Sequence, residues 1–331
     1  MPNYHIYDLR VESDLELPAN PLTDEAFRPG KRVCISHQPA SSHEFDQAHW
    51  ISSRYGGLIR CYDVGNGILV SVGGGTGSMF RFWVSRKGDE IVLGTLCSEA
   101  AAMIPNLGLS ICKLLQGHLT LHGASLEICG KLIGLLAHSQ SGKSTLLWTL
   151  LDRGARIASD DVIPIHLDSS KVMATPSVSL HAKLSGVTLD RQDVDTTALQ
   201  PVLADDDQFW LPFCPDAREV EPRPLEALFL LQPDWQAEAG SVQVQRVSGG
   251  GVISLLMDNT HGLWAAYPML DGKRIFAILA ALVESIPIYT LRYARCYEIL
   301  PALAAAIQDH ITGGRPVVWK TAGVHSRAIR L

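Results

Sequence analysis

The stretch Leu135–Leu147, "LLAHSQSGKSTLL", constrains this chain more than any other. A short apolar run is followed by a loop closing on Gly142-Lys143-Ser144-Thr145, and then by leucines at helical spacing (Leu146, Leu147, Leu150, Leu151). Gly154 ends that helix, and "ARIAS" resumes as a buried strand. Strand, loop, helix, strand is the order of a layered α/β sheet with a loop opening onto a helix N-terminus.

The loop compares with G-x-x-x-x-G-K-[ST] as Ala137-His138-Ser139-Gln140-Ser141-Gly142-Lys143-Ser144, departing from it at the first glycine. Phosphate binding resides in the second half. Backbone N–H groups from about Ser141 to Ser144 open the helix, where the dipole favours an anion. The binding set is therefore Ser139, Gln140, Ser141, Gly142, Lys143, Ser144 and Thr145. Lys143 reaches the β- and γ-phosphates, and Ser144 offers its hydroxyl to Mg²⁺. Alanine at 137 adds one methyl, tolerable unless the position needs φ > 0. The bland alternative is that Gly-Lys-Ser-Thr merely starts a helix.

Asp160 and Asp161 follow "ARIAS" directly, which predicts an acidic pair at the carboxyl end of a strand beside the loop strand. One carboxylate can complete a metal shell and the other can take a proton from an acceptor hydroxyl. A turn or helix cap is the plainer reading of the pair.

Elsewhere the chain divides by pattern. Residues 1–98 read as a β-rich N-terminal domain: "YHIYDLRVE", "GLIRCYDV" and "GILVSV" are strand-like, and "MFRFWVS" and "EIVLG" form a hairpin turning at Lys87 and Gly88. Residues 99–312 alternate helices and strands. A helical face of Leu107, Ile111, Leu114 and Leu115 stops at Gly117, and "LTLHGASLEICGKLIGLLAH" reads as two or three strands. Later, "ALFLLQ" and "IPIYTLR" read as strands, "KRIFAILAALVE" and "YEILPALAAAIQDHI" as helices. Residues 313–331 lose periodicity and read as a flexible basic tail.

Net charge is −6, which removes the basic field that nucleic-acid binding needs. Seven scattered cysteines without a C-x-x-C pair argue against a zinc ribbon or disulfide framework and favour a cytoplasmic protein. The sequence shows no signal peptide, and its most apolar window, "IFAILAALVESIPIYTL", is broken by Glu284, Ser285 and Pro287. No membrane partner is expected. The run "SVGGGTGSMF" fits no register of G-x-G-x-x-G and reads as a glycine-rich loop; His37, His43 and His49 suit no zinc spacing. His118 and His122 are expected on one strand, facing one side.

Taken together, "LHG" before the loop, the loop itself and "DRGARIASDD" after it resemble the HPr kinase/phosphorylase family, whose nucleotide domain is similar to that of phosphoenolpyruvate carboxykinase. The resemblance implies an α/β P-loop nucleotide domain using ATP and Mg²⁺. It implies that His122 lines the active site, Lys143 holds phosphate, Asp161 is the base for a serine hydroxyl and Asp160 leans towards the metal. More loosely, "YHIYDLRVESDLELP", "PLEALFLL" and "ESIPIYTLRY…LPALAAAI" look like HPr-kinase-related proteins of bacterial biosynthetic clusters, including kinases of lasso-peptide precursors. By that resemblance the acceptor is a peptide or small protein, and a homo-oligomer is compatible with it. The family's E-[IV]-R-G-[LMI]-G signature is missing from the corresponding "SVSLHAKLSGVTLDRQ", leaving Arg218, Arg223 and Arg292 as candidate replacement arginines. A catalytically degenerate nucleotide-sensing protein and a small-molecule kinase are the alternatives left open.

Overall fold

The computed structural model describes residues 1–19, 31–38, 48–73, 79–138, 141–168, 171–176, 181–191, 194–202, 207–212, 221–238 and 240–313. Ser139, Gln140, Arg218 and the basic tail beyond residue 313 lie outside them, as do His43 and residues 74–78 of the glycine-rich run. Among the described residues the architecture is mixed α/β with three sheets. No helix among the described residues is long and apolar enough to cross a membrane.

The first sheet takes eight strands: β1 (Asn3–Ile6), β2 (Leu9–Ser13), β3 (Lys31–His37), β4 (His49–Arg54), β5 (Ile59–Asp63), β6 (Gly67–Gly73), β7 (Met79–Ser85) and β8 (Glu90–Leu93). Their spatial order is β1-β2-β3-β8-β7-β6-β5-β4. The expected hairpin is β7–β8, antiparallel, with Gly88 at φ +67° in its turn. Another tight turn joins β1 to β2 through Tyr7 and Asp8, both at positive φ (54° and 62°), as the two central residues of a type I′ turn require.

Helix α1 (Ser98–Met103) runs through a π turn at Ile104–Gly108 into α2 (Leu109–Leu115). Two antiparallel strands follow, β9 (Leu119–Ile128) and β10 (Lys131–Leu136), then the loop and α3 (Lys143–Asp152). Next come β11 (Arg156–Ser159), β12 (Val162–Asp168) and β13 (Lys171–Ala174). A small sheet of β14 (His181–Ser185), β15 (Gln200–Pro201) and β16 (Gln208–Pro212) carries α4 (Gly186–Asp190). The chain closes with β17 (Arg223–Asp234), β18 (Val242–Val247), α5 (Gly250–Asp258), α6 (Leu263–Ala266), α7 (Gly272–Ser285), β19 (Ile288–Ala294) and α8 (Leu300–Thr312).

In the second sheet β10, β17 and β19 are parallel neighbours, so their carboxyl ends share one edge. Long strands β9 and β17 each change partner along their length, and the pairings β9–β10–β17–β13–β12–β9 close into a ring. The sequence reading needs one correction here. The strand "ARIAS" is not beside the loop strand, because β9 lies between them: Ser125–Glu127 pairs with β10 on one side and β11 on the other. A hairpin turn at Cys129–Gly130 folds β10 back onto β9, and the pair leaves β11 the far side.

Two apolar clusters hold these layers. One lies under α3 and α8, where Leu146, Leu147 and Leu150 meet Leu303, Ile307 and Phe229; the leucine spacing in each helix puts its apolar stripe on the sheet. The other is continuous from the first sheet (Val11, Val33, Ile35, Phe82) through α2 to β9, β12 and α7. Gly123 marks the tightest approach in the second sheet, since a Cβ there would stand 2.4 Å from the Leu135 carbonyl oxygen. Gly123→Ala is therefore expected to lower the urea midpoint, at a cost of about 1–3 kcal/mol for forced overpacking; an unchanged midpoint in urea denaturation would show that the strands relax freely.

Candidate functional site

The loop's second half opens α3 as its residue types require. Gly142 is left-handed (φ 82°), which glycine adopts without penalty, and Leu146 N–H donates to its carbonyl at 2.9 Å to start the helix. The turn before it is closed by Ser141, whose backbone N–H and hydroxyl both donate to the His138 carbonyl (3.2 and 2.7 Å), while the Tyr293 hydroxyl donates to the Ser141 carbonyl. Ala137 is buried against the α3 cluster and keeps a negative φ, so the position occupied by the pattern's first glycine does not demand glycine in this chain.

The acidic pair sits at a break in β-pairing. β11 and β12 run along one side of β9, and Asp160–Asp161 interrupts them, with Asp161 in the left-handed region at φ 65°. That conformation is sparsely populated by non-glycine residues, though aspartate enters it more readily than most. It is fixed here by the Gly123 N–H donating to the Asp161 carbonyl (3.1 Å) and by the Asp161 N–H donating to its neighbour's carboxylate (2.9 Å).

Four charges then meet in a small volume. Lys143 Nζ lies 3.0 Å from Asp160 Oδ1 and 3.7 Å from Asp161 Oδ1, and Lys183 Nζ lies 2.8 Å from Asp161 Oδ2. Asn106, from the π turn, adds a donor at 3.2 Å to Asp161 Oδ2 and accepts from the Tyr7 hydroxyl at 3.3 Å. Burial disfavours the charged form of Asp161, but Lys183 and Lys143 outweigh it and hold the carboxyl far below the usual carboxylate range. For Lys143, burial would lower the pKa, yet Asp160 and Asp161 raise it above its ordinary value.

His122 lies on β9 opposite Val162, at the edge where β10 gives way to the loop. Its ring stacks on His261 with centroids 5.2 Å apart and planes at 26°. The segment Asn259–His261 is laid against β9 by His122 N–H to the Asn259 carbonyl (2.7 Å) and His261 N–H to the Thr120 carbonyl (2.8 Å). Burial lowers both histidines, His261 to about 3; Lys143 adds to the lowering at His122, and the neighbouring His122 to that at His261, so at neutral pH the two rings stack as neutral imidazoles. His118 departs from expectation: it precedes β9 and sits near Lys113 and Lys31, with burial and those cations lowering it to about 4.

Two clefts meet at this cluster. One, of about 650 Å³, is lined by the loop from Ser141 to Thr145 and by Tyr293, Trp235 and Tyr297. The other, of about 640 Å³, is lined by Arg54 and Tyr55 of the first sheet, Asn106, Asp258, His261 and Trp264. His122, His138, Asp161 and Lys183 line both. Asp161 thus faces either side, whereas Asp160 is buried and turned to Lys143. Volumes of this size fall within the roughly 300–1,000 Å³ of ligand pockets.

Lys183, Asn106 and His261 were not singled out in the sequence. Lys183 stands within "SVSLHAKLSGVTLDRQ", the stretch lacking the arginine signature, so a search there for any cation would have found it. The arginine candidates fare otherwise. Arg223 Nη2 donates to the Gly130 carbonyl at the opposite edge of the sheet, and Arg292 is paired with Asp234 at 2.6 Å. Both serve other contacts because β17 and β19 direct them away from the acid pair, and Arg218 lies outside the described residues.

Compared with known proteins, the chain matches no family model and no curated protein. Among solved structures it overlaps the Hpr(Ser) kinase/phosphatase from Coxiella burnetii with a TM-score of 0.34 and 13% identity, over 59% of this chain and 97% of that one. An overlap at that level does not by itself define a shared fold or a shared activity.

The neutral histidine pair gives the site an acid limit. His261 titrates near 3 when folded against 6.5 when free, so between those values the unfolded chain binds the extra proton and stability falls as pH drops. The melting temperature is expected to decline from pH 6.5 downward, with His261 contributing at most about 1.4 kcal/mol per pH unit. His261→Gln should flatten that decline in thermal scans from pH 7 to 4.5; an unaltered slope would remove His261 from the titration.

Proposed function

We propose that the chain is an ATP- and Mg²⁺-dependent kinase that transfers a phosphoryl group to a hydroxyl, with serine of a peptide or small protein as the acceptor. The observation carrying this reading is the placement of Asp161 where two clefts join, within 4 Å of the lysine of a glycine-lysine loop that opens a helix.

In this reading the triphosphate lies in the cleft of Ser141–Thr145, taking backbone N–H groups at the start of α3, and Lys143 exchanges Asp160 for phosphate oxygens. The donors fit Mg²⁺. Ser144 and the Asp160 carboxylate are hard oxygens, and among the described residues there is no group of three or more His, Cys, Asp or Glu to form an all-protein cage. Mg²⁺ commonly takes one or two protein oxygens and completes its shell from phosphate and water. When bound it would neutralise charge on the phosphates.

The acceptor hydroxyl enters from the other cleft and gives its proton to Asp161. With Lys183 and Lys143 both beside it, Asp161 is a weak base at rest; drawing Lys143 to the phosphate removes one of those cations and raises its basicity. Phosphoryl transfer has a loose transition state that asks more for alignment than for a strong base. Lys183, between the carboxylate and both clefts, supplies the positive charge that an arginine would bring to the moving phosphoryl group. His122 and His261 wall the junction with neutral aromatic surface, which keeps water out.

Lys143→Ala is expected to abolish measurable ATP binding by calorimetry. Asp161→Asn should retain ATP binding while lowering phosphoryl transfer about 10²–10⁴-fold, the usual share of a general base, in an assay with serine-containing peptides, lasso-peptide precursors among them. Full transfer by Asp161→Asn would refute the assignment of the base. ATP binding without transfer to any acceptor would instead favour a nucleotide-responsive binding protein.

A further inference from the structure

Part of the lining of the loop's cleft, Trp235, Arg295 and Tyr297, is left unexplained by phosphate binding. Strands β10, β17 and β19 are adjacent and parallel, and each leaves something at its carboxyl end. β10 leads into the loop, β17 is followed at once by Trp235, and β19 is followed by Arg295, Cys296 and Tyr297. Leu136, the last residue of β10, is paired with Leu230, so β17 runs four residues beyond the point where the loop begins before it reaches Trp235.

Trp235 is 74% exposed, yet it lines the cleft with Tyr297 and Arg295. An indole left so open contributes little to the core, and its place on the cleft wall leaves it available to a ligand there. The Arg295 guanidinium lies over its ring at 4.0 Å, and the Arg191 guanidinium lies over Tyr297 at 3.8 Å. Two cation–aromatic contacts therefore border the cleft, on Trp235 and Tyr297. Hydroxyls that could read a base by its edge are turned to one another: Thr188 Oγ1 is within 3.2 Å of Thr145 Oγ1 and 3.0 Å of Ser185 Oγ.

Resting on the kinase reading for the phosphate end, we infer that Trp235, Arg295 and Tyr297 form a seat for a purine base that is held by its faces rather than by its hydrogen-bonding edge. Adenine and guanine present similar π faces, so the seat accepts ATP and GTP alike and favours both over a smaller pyrimidine.

The test is calorimetric titration of the full chain with Mg²⁺ and, separately, ATP, GTP, CTP and inorganic tripolyphosphate. ATP and GTP should bind within about three-fold of each other and CTP more weakly. Trp235→Ala should weaken ATP and GTP each about ten-fold, within the range measured for base–aromatic stacking, and leave tripolyphosphate unchanged; Trp235→Phe should restore most of the loss. The inference is overturned if Trp235→Ala binds ATP as tightly as the parent chain, or if the parent prefers ATP to GTP by about a hundred-fold, which would need an edge-reading partner. Loss of tripolyphosphate affinity along with ATP affinity in Trp235→Ala would also overturn it, as a general disturbance of the cleft. The phosphate site fails separately: there the parent chain would ignore tripolyphosphate, or Lys143→Ala would bind it unchanged.

Discussion

Two lysines and two aspartates facing one another, Lys143 and Asp160 among them buried, set the terms for the rest of this molecule. Placing a charge in a protein interior costs several kcal/mol unless a partner and further hydrogen bonds compensate it. Lys143, Asp160, Asp161 and Lys183 compensate one another in a row, and Asn106 and backbone N–H groups take the remaining carboxylate lone pairs. Its members come from four places: the start of α3, the break between β11 and β12, the small sheet and the π turn. The cluster therefore requires all of those elements to be in position, and they in turn gain a common anchor. It is also poised to change, because an incoming anion that draws Lys143 away leaves the Asp160 carboxylate on the backbone N–H groups of Asp161 and Lys183 and open to another cation.

The backbone around the cluster shows why two aspartates stand there. A continuous strand alongside β9 would have carried its side chains alternately into the two apolar cores. Breaking that strand at Asp160–Asp161, with one left-handed residue, lets both acidic groups turn towards the end of β10. Gly123, with no side chain, gives the opposite strand room to approach the same point. The neutral stack of His122 on His261 fills the remaining side with flat, low-charge surface.

Much of this was legible in the sequence. The loop, α3, the paired aspartates and the strands at "ALFLLQ" and "IPIYTLR" follow from local signals: glycine at a left-handed position, leucines at helical spacing, and apolar runs bounded by turns. What escaped depends on pairings between distant segments. Lys183 reaches Asp161 across 22 positions from a sheet of its own, and His261 meets His122 across 139. Neither lies in a periodic pattern that would have marked it. The interposition of β9 between β10 and β11 was hidden for the same reason: strand order is decided by long-range hydrogen bonds and leaves no imprint on residue type. Asn106 gave one faint signal in Pro105, which disturbs regular helix at the turn that carries it.

The first sheet is more than an appendage to this arrangement. Its Tyr7–Asp8 turn grips Lys113 of α2, which is 1% exposed, through Asp8 at 2.5 Å, and hands the Tyr7 hydroxyl to Asn106. Its apolar residues belong to the same cluster as β9, β12 and α7. Evolutionary exchange of the amino-terminal sheet for another module would bare that shared interior and strand an ammonium group within it. The sheet and the remainder of the chain are thus obliged to drift together, and a change on one side of their seam must be met by a change on the other.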